Sequence, residues 1–230
     1  DIRLLMQDPE LNGQQLRLTA DGTLADLQLQ AYASEGLEAE LSVWLNLLDS
    51  TLPLRASLTA SQLKWPLSGE ANIQLNQLQA EANGNLQQLL FSGQLTANGK
   101  QIPQTSVQLN GVSSLSGATL ENLVVKTLGG ELRATAELSW QQQLNWLANL
   151  KLTQIQPGQF WPDYSGELNG NMQFNGNLTE QGGWQLALPE LKLNGTLRDY
   201  ELLLDGSLNA ADLTGQGDYQ LTTSGLTLRH

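Results

Sequence analysis

The chain has 230 residues, with 23 Asp and Glu against 11 Lys and Arg, a formal charge of −12, no Cys, and a single His at position 230. That balance leaves no basic stripe for nucleic-acid phosphate or anionic headgroups, and no thiol for redox or zinc chemistry. It also supplies no internal imidazole for a Ser-His-Asp site, so a non-enzymatic protein without metal or cofactor is expected. No apolar run approaches the roughly 20 residues of a membrane-spanning helix. Fifty residues are Leu and only nine are Val or Ile, while 15% are charged, against about 25% in an ordinary soluble domain.

The dominant pattern is alternation, which places every second side chain on one face of a strand. It starts at Leu16 and Leu18 and continues through Leu27, Leu29, Ala31 and Ala33. A longer run follows at Leu37, Ala39, Leu41, Val43, Leu45 and Leu47, then Leu52, Leu54, Ala56, Leu58 and Ala60. Ile73 and Leu75 come next, then Leu95, Val107 and Leu109. The second half repeats the pattern through Leu132 to Leu138, Leu144 to Leu152 (including Leu150), and Leu168, Met172 and Phe174. It ends with Leu186, Leu188, Leu191, Leu193, Leu202, Leu204 and Leu221. Trp140, Leu144, Leu147 and Leu150 also fit a helical face, but a hairpin turning at Gln141–Gln143 is the better reading. Pro157 suits the first position of a short 3₁₀ turn over 157–161.

Asx-Gly pairs recur at 12–13, 21–22, 83–84, 98–99, 110–111, 169–170, 175–176, 194–195 and 205–206. Both residue types tolerate positive φ, so these pairs are expected to mark turns. With Gly-x-Leu repeats opening strands after them, about 14–18 antiparallel strands are expected. No linker interrupts the pattern, so residues 1–230 are expected to form one domain. The strand-like pattern reaches Leu226 and Leu228, as in a piece of a longer chain.

The residues between the leucines are mostly Gln, Asn, Thr and Ser, which makes a solvated face. The Leu face must be covered. Two coverings stay open: a sandwich or barrel packed on itself, or a long sheet curled around an apolar trough. Uniform γ-branched lining suits a fluid, variable ligand such as an acyl chain, since each buried methylene contributes about 0.8 kcal/mol without directional bonds. The trough reading assigns the lining to Leu16, Leu18, Leu27, Leu29, Leu41, Val43, Leu45, Leu52, Leu54, Leu58, Ile73, Leu75, Leu95, Val107 and Leu109. In the second half it assigns Leu132, Leu138, Leu150, Leu168, Met172, Phe174, Leu186, Leu188, Leu191, Leu193, Leu202, Leu204 and Leu221. Trp44, Trp65, Trp140, Trp146 and Trp184 are dispersed, which fits core or groove rim better than a sugar platform. The acid groups Glu35/Glu38/Glu40, Asp163/Glu167 and Asp199/Glu201 read as solvated charge rather than a glycosidase pair.

One segment is more specific. Gln156-Pro157-Gly158-Gln159-Phe160-Trp161-Pro162-Asp163-Tyr164-Ser165-Gly166-Glu167-Leu168-Asn169-Gly170 resembles a Pro-Gly-x-aromatic-Trp-Pro-Asp segment, followed by Gly-x-Leu-x-Gly, of the AsmA-like superfamily of bacterial envelope proteins. Within it the likeness is strongest to TamB-like chains, which also resemble Leu120-Glu121-Asn122-Leu123 and Thr127-Leu128-Gly129-Gly130-Glu131-Leu132. The resemblance implies an all-β fold, a long curled antiparallel sheet (a "β-taco") enclosing a hydrophobic groove. It implies a periplasmic segment of a protein anchored in the bacterial inner membrane. It further implies movement of phospholipids between inner and outer membranes, partnership with the TamA barrel in a translocation and assembly module, and a role in outer-membrane and autotransporter biogenesis. A periplasmic scaffold that binds outer-membrane protein strands by β-augmentation is the alternative.

Overall fold

The computed structural model describes residues 15–34, 38–66, 71–179, 183–211, 214–223 and 226–229. It is all-β, with fifteen strands among the described residues, and two compact units, Asp1–Ser114 and Leu115–His230. The first unit holds β1 (Gln15–Thr23), β2 (Asp26–Ser34), β3 (Ala39–Leu45), β4 (Leu54–Trp65), β5 (Ile73–Gly84), β6 (Leu89–Gly99) and β7 (Thr105–Ser113). The second holds β8 (Gly117–Thr127), β9 (Gly130–Ser139), β10 (Asn145–Ile155), β11 (Gly166–Leu178), β12 (Trp184–Leu197), β13 (Tyr200–Ala211), β14 (Thr214–Thr223) and β15 (Leu226–Arg229). No linker composition marks the boundary at 114/115.

Within each unit every strand pairs antiparallel with the one before it. No first strand pairs with a last among the described residues, so the sheets are open and not barrels. Residues 140–144 link β9 to β10 without regular structure, as the hairpin reading expects. The expected 3₁₀ turn is present at Pro157–Gln159, and a second follows at Pro162–Tyr164.

The Asx-Gly pairs do not make the turns, which corrects the sequence expectation. The tight hairpins turn at Leu24-Ala25, Leu128-Gly129 and Arg198-Asp199, the last two with φ of 51° and 72° and of 51° and 66°. Every Asx-Gly pair among the described residues lies within a strand; the pair at 12–13 falls outside them. Each puts its Asx on the polar face and its Gly on the Leu face. Gly170 is paired with Leu152 and Leu193, Gly176 with Trp146 and Leu186, and Gly111 with Phe91. A Cβ on Gly176 would run into the Trp146 ring and the Gln185 carbonyl oxygen. Glycine there makes room for large neighbours on a curling surface, a use independent of turn formation.

Bulges are the second departure from simple alternation. In β5 the apolar positions are Ile73 and Leu75, then Leu78, Ala80 and Ala82, a switch from odd to even. Gln77, at φ 53°, takes the extra place, and the register with β6 shifts between Asn76 and Gln79. Gln154, also at φ 53°, does the same in β10 before Ile155. Pro189-Glu190 sits at the matching shift of β12, between Leu188 and Leu191, where the lost ladder N–H is tolerated. Each bulge returns the strand to the same apolar face instead of flipping it.

The interior is sparse. Among the described residues only three hydrophobic ones are buried (Ala60, Ala97 and Leu188), and no large side chain is fully enclosed. The Leu face is therefore left uncovered rather than folded into a sandwich.

Candidate apolar groove

Strand register assembles the predicted lining residues into rows. In the first unit one row runs Leu18, Ala31, Leu41, Leu58, Ala80, Gly93, Leu109 across β1 to β7. A parallel row runs Ala20, Leu29, Val43, Ala56, Ala82, Phe91, Gly111, and a third runs Gly22, Leu27, Leu45, Leu54, Gly84, Leu89. Leu16 pairs with Ala33, Leu95 with Val107, and Ile73 and Leu75 with Gly99 and Ala97 on the same face. No position in these rows is charged.

Five consecutive strands, β3 to β7, border one hollow of about 370 Å³. Leu41, Leu58, Leu78, Phe91, Leu95, Val107 and Leu109 line it. Five flat strands would separate β3 from β7 by about 19 Å. A hollow of this size can touch all five only if the sheet curls over it. Small residues at Ala80, Ala82 and Gly93 allow the curl; Leu109 lies within ordinary contact, 3.8 Å, of a Cβ built on Gly93. The surface stays accessible, with Leu16 48%, Leu18 55% and Leu41 37% exposed.

The second unit repeats the design. Val125, Leu132, Leu152, Gly170, Leu193, Leu204 and Leu221 share a row. Leu123, Ala134, Leu150, Met172, Leu191 and Gly206 form the next. Leu138, Trp146, Gly176 and Leu186 share another, and Leu120, Ala136, Ala148 and Phe174 run between. Leu188 pairs with Leu208, Leu168 with Ile155 and Gly195, and Leu202 with Gly195. Every predicted lining residue whose side chain is described thus lies on its unit's apolar face except Leu52; the side chain of Leu221 falls outside the described ones. Leu52 precedes β4 in a turn, at φ 52°, with its N–H donating to the Asp49 carbonyl. Alternation reads Leu52 into the strand because the chain bends just where Thr51 and Pro53 would begin it. Strict alternation missed Leu78, Phe91, Leu120, Leu123 and Val125; the bulges in β5 and β8 hide Leu78 and Leu123.

Charged and polar side chains occupy the opposite face. Tyr32 and Glu40 are cross-strand neighbours there. The Glu40 carboxylate opposes the phenolate charge and accepts the phenol's hydrogen bond, which holds the Tyr32 hydroxyl above its ordinary pKa. Gln94 Nε2 donates to Gln79 Oε1 at 2.5 Å, and Gln74, Asn76 and Asn98 form a chain of side-chain bonds. Glu131–Arg133 and Glu190–Lys192 pair along their strands. Trp44 is on this polar face too, beside Arg55, and not on the groove rim.

The Trp-Pro-Asp segment forms a corner between β10 and β11. Arg198, in the β12–β13 turn, donates from Nε to the Asp163 carbonyl oxygen at 2.6 Å and lies 4.5 Å from the Tyr164 ring centroid. Its backbone N–H donates to Ser165 O at 2.7 Å. The Gln156 N–H donates to Leu128 O, which ties in the β8–β9 turn. The segment is thus a clasp joining three chain reversals at one end of the second unit. Arg198→Ala removes a charge-assisted hydrogen bond and a cation–π contact, and is expected to lower stability by about 1–3 kcal/mol. Limited proteolysis of the corner measures it: cleavage within 156–165 should accelerate in the variant.

Among the described residues no group of His, Cys, Asp and Glu could hold a metal ion, and no helix is long and apolar enough to cross a membrane. No solved structure matches the chain. One curated relative, the translocation and assembly module subunit TamB of Haemophilus influenzae, is 26% identical over 195 residues, which is 83% of this chain and 15% of the relative's length. The chain therefore spans under a sixth of that relative. The family described as "TamB, N-terminal domain" matches residues 1–230 in full. Fold, register and this match together place the chain in the TamB family.

Proposed function

We propose that the chain is a segment of a lipid conduit, in which phospholipid acyl chains lie along the apolar face of the curled sheets. The observation that supports the reading is the uncharged, uncovered Leu face with its hollow of about 370 Å³. Each methylene laid on that face gains about 0.8 kcal/mol, and a monotonous Leu lining imposes no register on what slides across it. The role is guidance, with no bond made or broken.

For the whole protein we propose a periplasmic path anchored in the inner membrane and partnered with a TamA-like outer-membrane barrel. The relative's name, a subunit of a translocation and assembly module, supports a multi-protein assembly of that kind. Photo-crosslinking side chains at Leu41 and Leu58 are expected to capture phospholipid in cells, while Ser42 and Ser57 on the opposite face capture none. Capture of nascent outer-membrane proteins at all four positions, without lipid, would replace the conduit with strand-binding scaffold activity.

A further inference from the structure

The polar face of the first unit carries a hollow of about 560 Å³, separate from the apolar one. Its volume lies within the range of about 300–1,000 Å³ typical of ligand sites. Register builds it from two cross-strand rows. One row is Gln28, Trp44, Arg55 and Asn83; the other is Gln30, Ser42, Ser57 and Glu81. Trp44 is fixed in place: its indole Nε1–H donates to Asp26 Oδ1 at 2.5 Å, and the Arg55 guanidinium lies 5.8 Å from its ring centroid.

The surrounding polar groups are unused. Among the described residues, the side chains of Gln28, Ser42, Ser57, Glu81 and Asn83 make no hydrogen bond to another residue, and Arg55 makes no ion pair. Elsewhere on the same face some amides are bonded to one another, as Gln79–Gln94 and Gln74–Asn76–Asn98 are. Solvent alone explains open side chains; what it does not supply is an indole pinned by Asp26 and ringed by open amides, a carboxylate and a guanidinium.

We propose that this hollow binds a glycan. A pyranose ring offers C–H groups on its face and hydroxyls at its rim. The indole suits the first, and the amides of Gln28 and Asn83, the Glu81 carboxylate and the Arg55 donors suit the second. Arg55 against Glu81 and Asp26 leaves one net negative charge, which favours a neutral sugar over a polyanion. The site lies on the solvated face, so glycan binding leaves the apolar groove free for its own ligand.

Titration of the purified chain with an N-acetylglucosamine tetrasaccharide, and separately with cellotetraose, tests the proposal by NMR of the tryptophan indole N–H signals. The Trp44 signal is assigned by its loss in Trp44→Phe. At least one sugar is expected to shift that signal saturably, and Trp44→Ala or Asn83→Ala should weaken binding about tenfold. Gln94→Ala, in the internally bonded row, should bind as the parent does. Circular dichroism of each variant checks the fold, and Asn83→Ala provides the result if Trp44→Ala unfolds. No saturable shift with either sugar, or binding undiminished in Asn83→Ala, overturns the proposal.

Discussion

Leu58→Glu is expected to empty the first unit of lipid while leaving it folded. Leu58 sits between Leu41 and Ala80 in the central row and lines the apolar hollow. In the lipid-free protein the hollow is open, so a carboxylate there keeps part of its hydration, and stability should change by no more than about 1–2 kcal/mol. Against an acyl chain the same carboxylate loses its water and has no partner, which costs several kcal/mol. Lipid occupancy by native mass spectrometry should therefore fall about tenfold or more. Ser57→Glu, one residue away on the polar face, should change neither quantity. Equal loss in both variants would mean that the effect is one of net charge and not of the groove.

Deleting Gln77 is expected to destabilise the first unit through its pairing with β4 and not with β6. Gln77 is the bulge residue that lets β5 present both Ile73–Leu75 and Leu78–Ala80–Ala82 to one face. Without it, alternation runs unbroken from Ile73 and Leu75 into Leu78, Ala80 and Ala82, so the apolar face and the register with β6 are kept, while Ser61 of β4 loses the residue opposite it and residues 62–65 slip one place against β5. The pairs Leu63–Leu75 and Trp65–Ile73 are lost, while Leu75–Ala97 and the Gln74–Asn76–Asn98 bonds are kept. Fully burying one such side chain contributes about 1.5–3 kcal/mol, and these are only partly buried, so the loss should be about 1–3 kcal/mol. A lower urea midpoint reads it, together with faster amide exchange in residues 62–65. Gln77→Gly keeps the extra residue and relieves a left-handed backbone, so it should match or exceed the parent's stability by up to about 1 kcal/mol. Unchanged exchange after the deletion would show that the bulge does not set this register.

Much of the fold was legible because alternation is a geometric signal: a strand has period two whatever its composition. Leu41, Val43 and Leu45, or Leu186 and Leu188, could be assigned to one face without knowing their partners. Bulges are illegible by the same logic. The step from Leu75 to Leu78 breaks alternation, and only the register with β6 shows that the face is kept. The Asx-Gly pairs misled because the two uses of glycine look alike in sequence. In a turn Gly supplies positive φ; beside Trp146 or Leu193 it supplies the absence of a Cβ. The actual hairpin turns put Leu128 and Arg198 at positive φ, where propensity does not favour them, ahead of Gly129 and Asp199, and the clasp around Arg198 holds the second. Trp44 was hidden for a different reason: an indole at an alternate position reads as apolar until Asp26 and Arg55 are seen beside it.

Curl is legible only in part. Composition suggests a face that a closed core would not use, but the hollow exists because Ala80, Ala82 and Gly93 stand among larger neighbours in adjacent strands. Those contacts depend on a register that no single strand encodes.

The central claim is that the Leu face holds acyl chains, and native mass spectrometry of the chain purified from bacterial cells without denaturant tests it most directly. The account predicts mass increments matching phospholipids above the 25.1 kDa chain, displaced by added fatty acid and depleted in Leu58→Glu. A chain that flies bare, and stays bare after incubation with phospholipid vesicles, would contradict it.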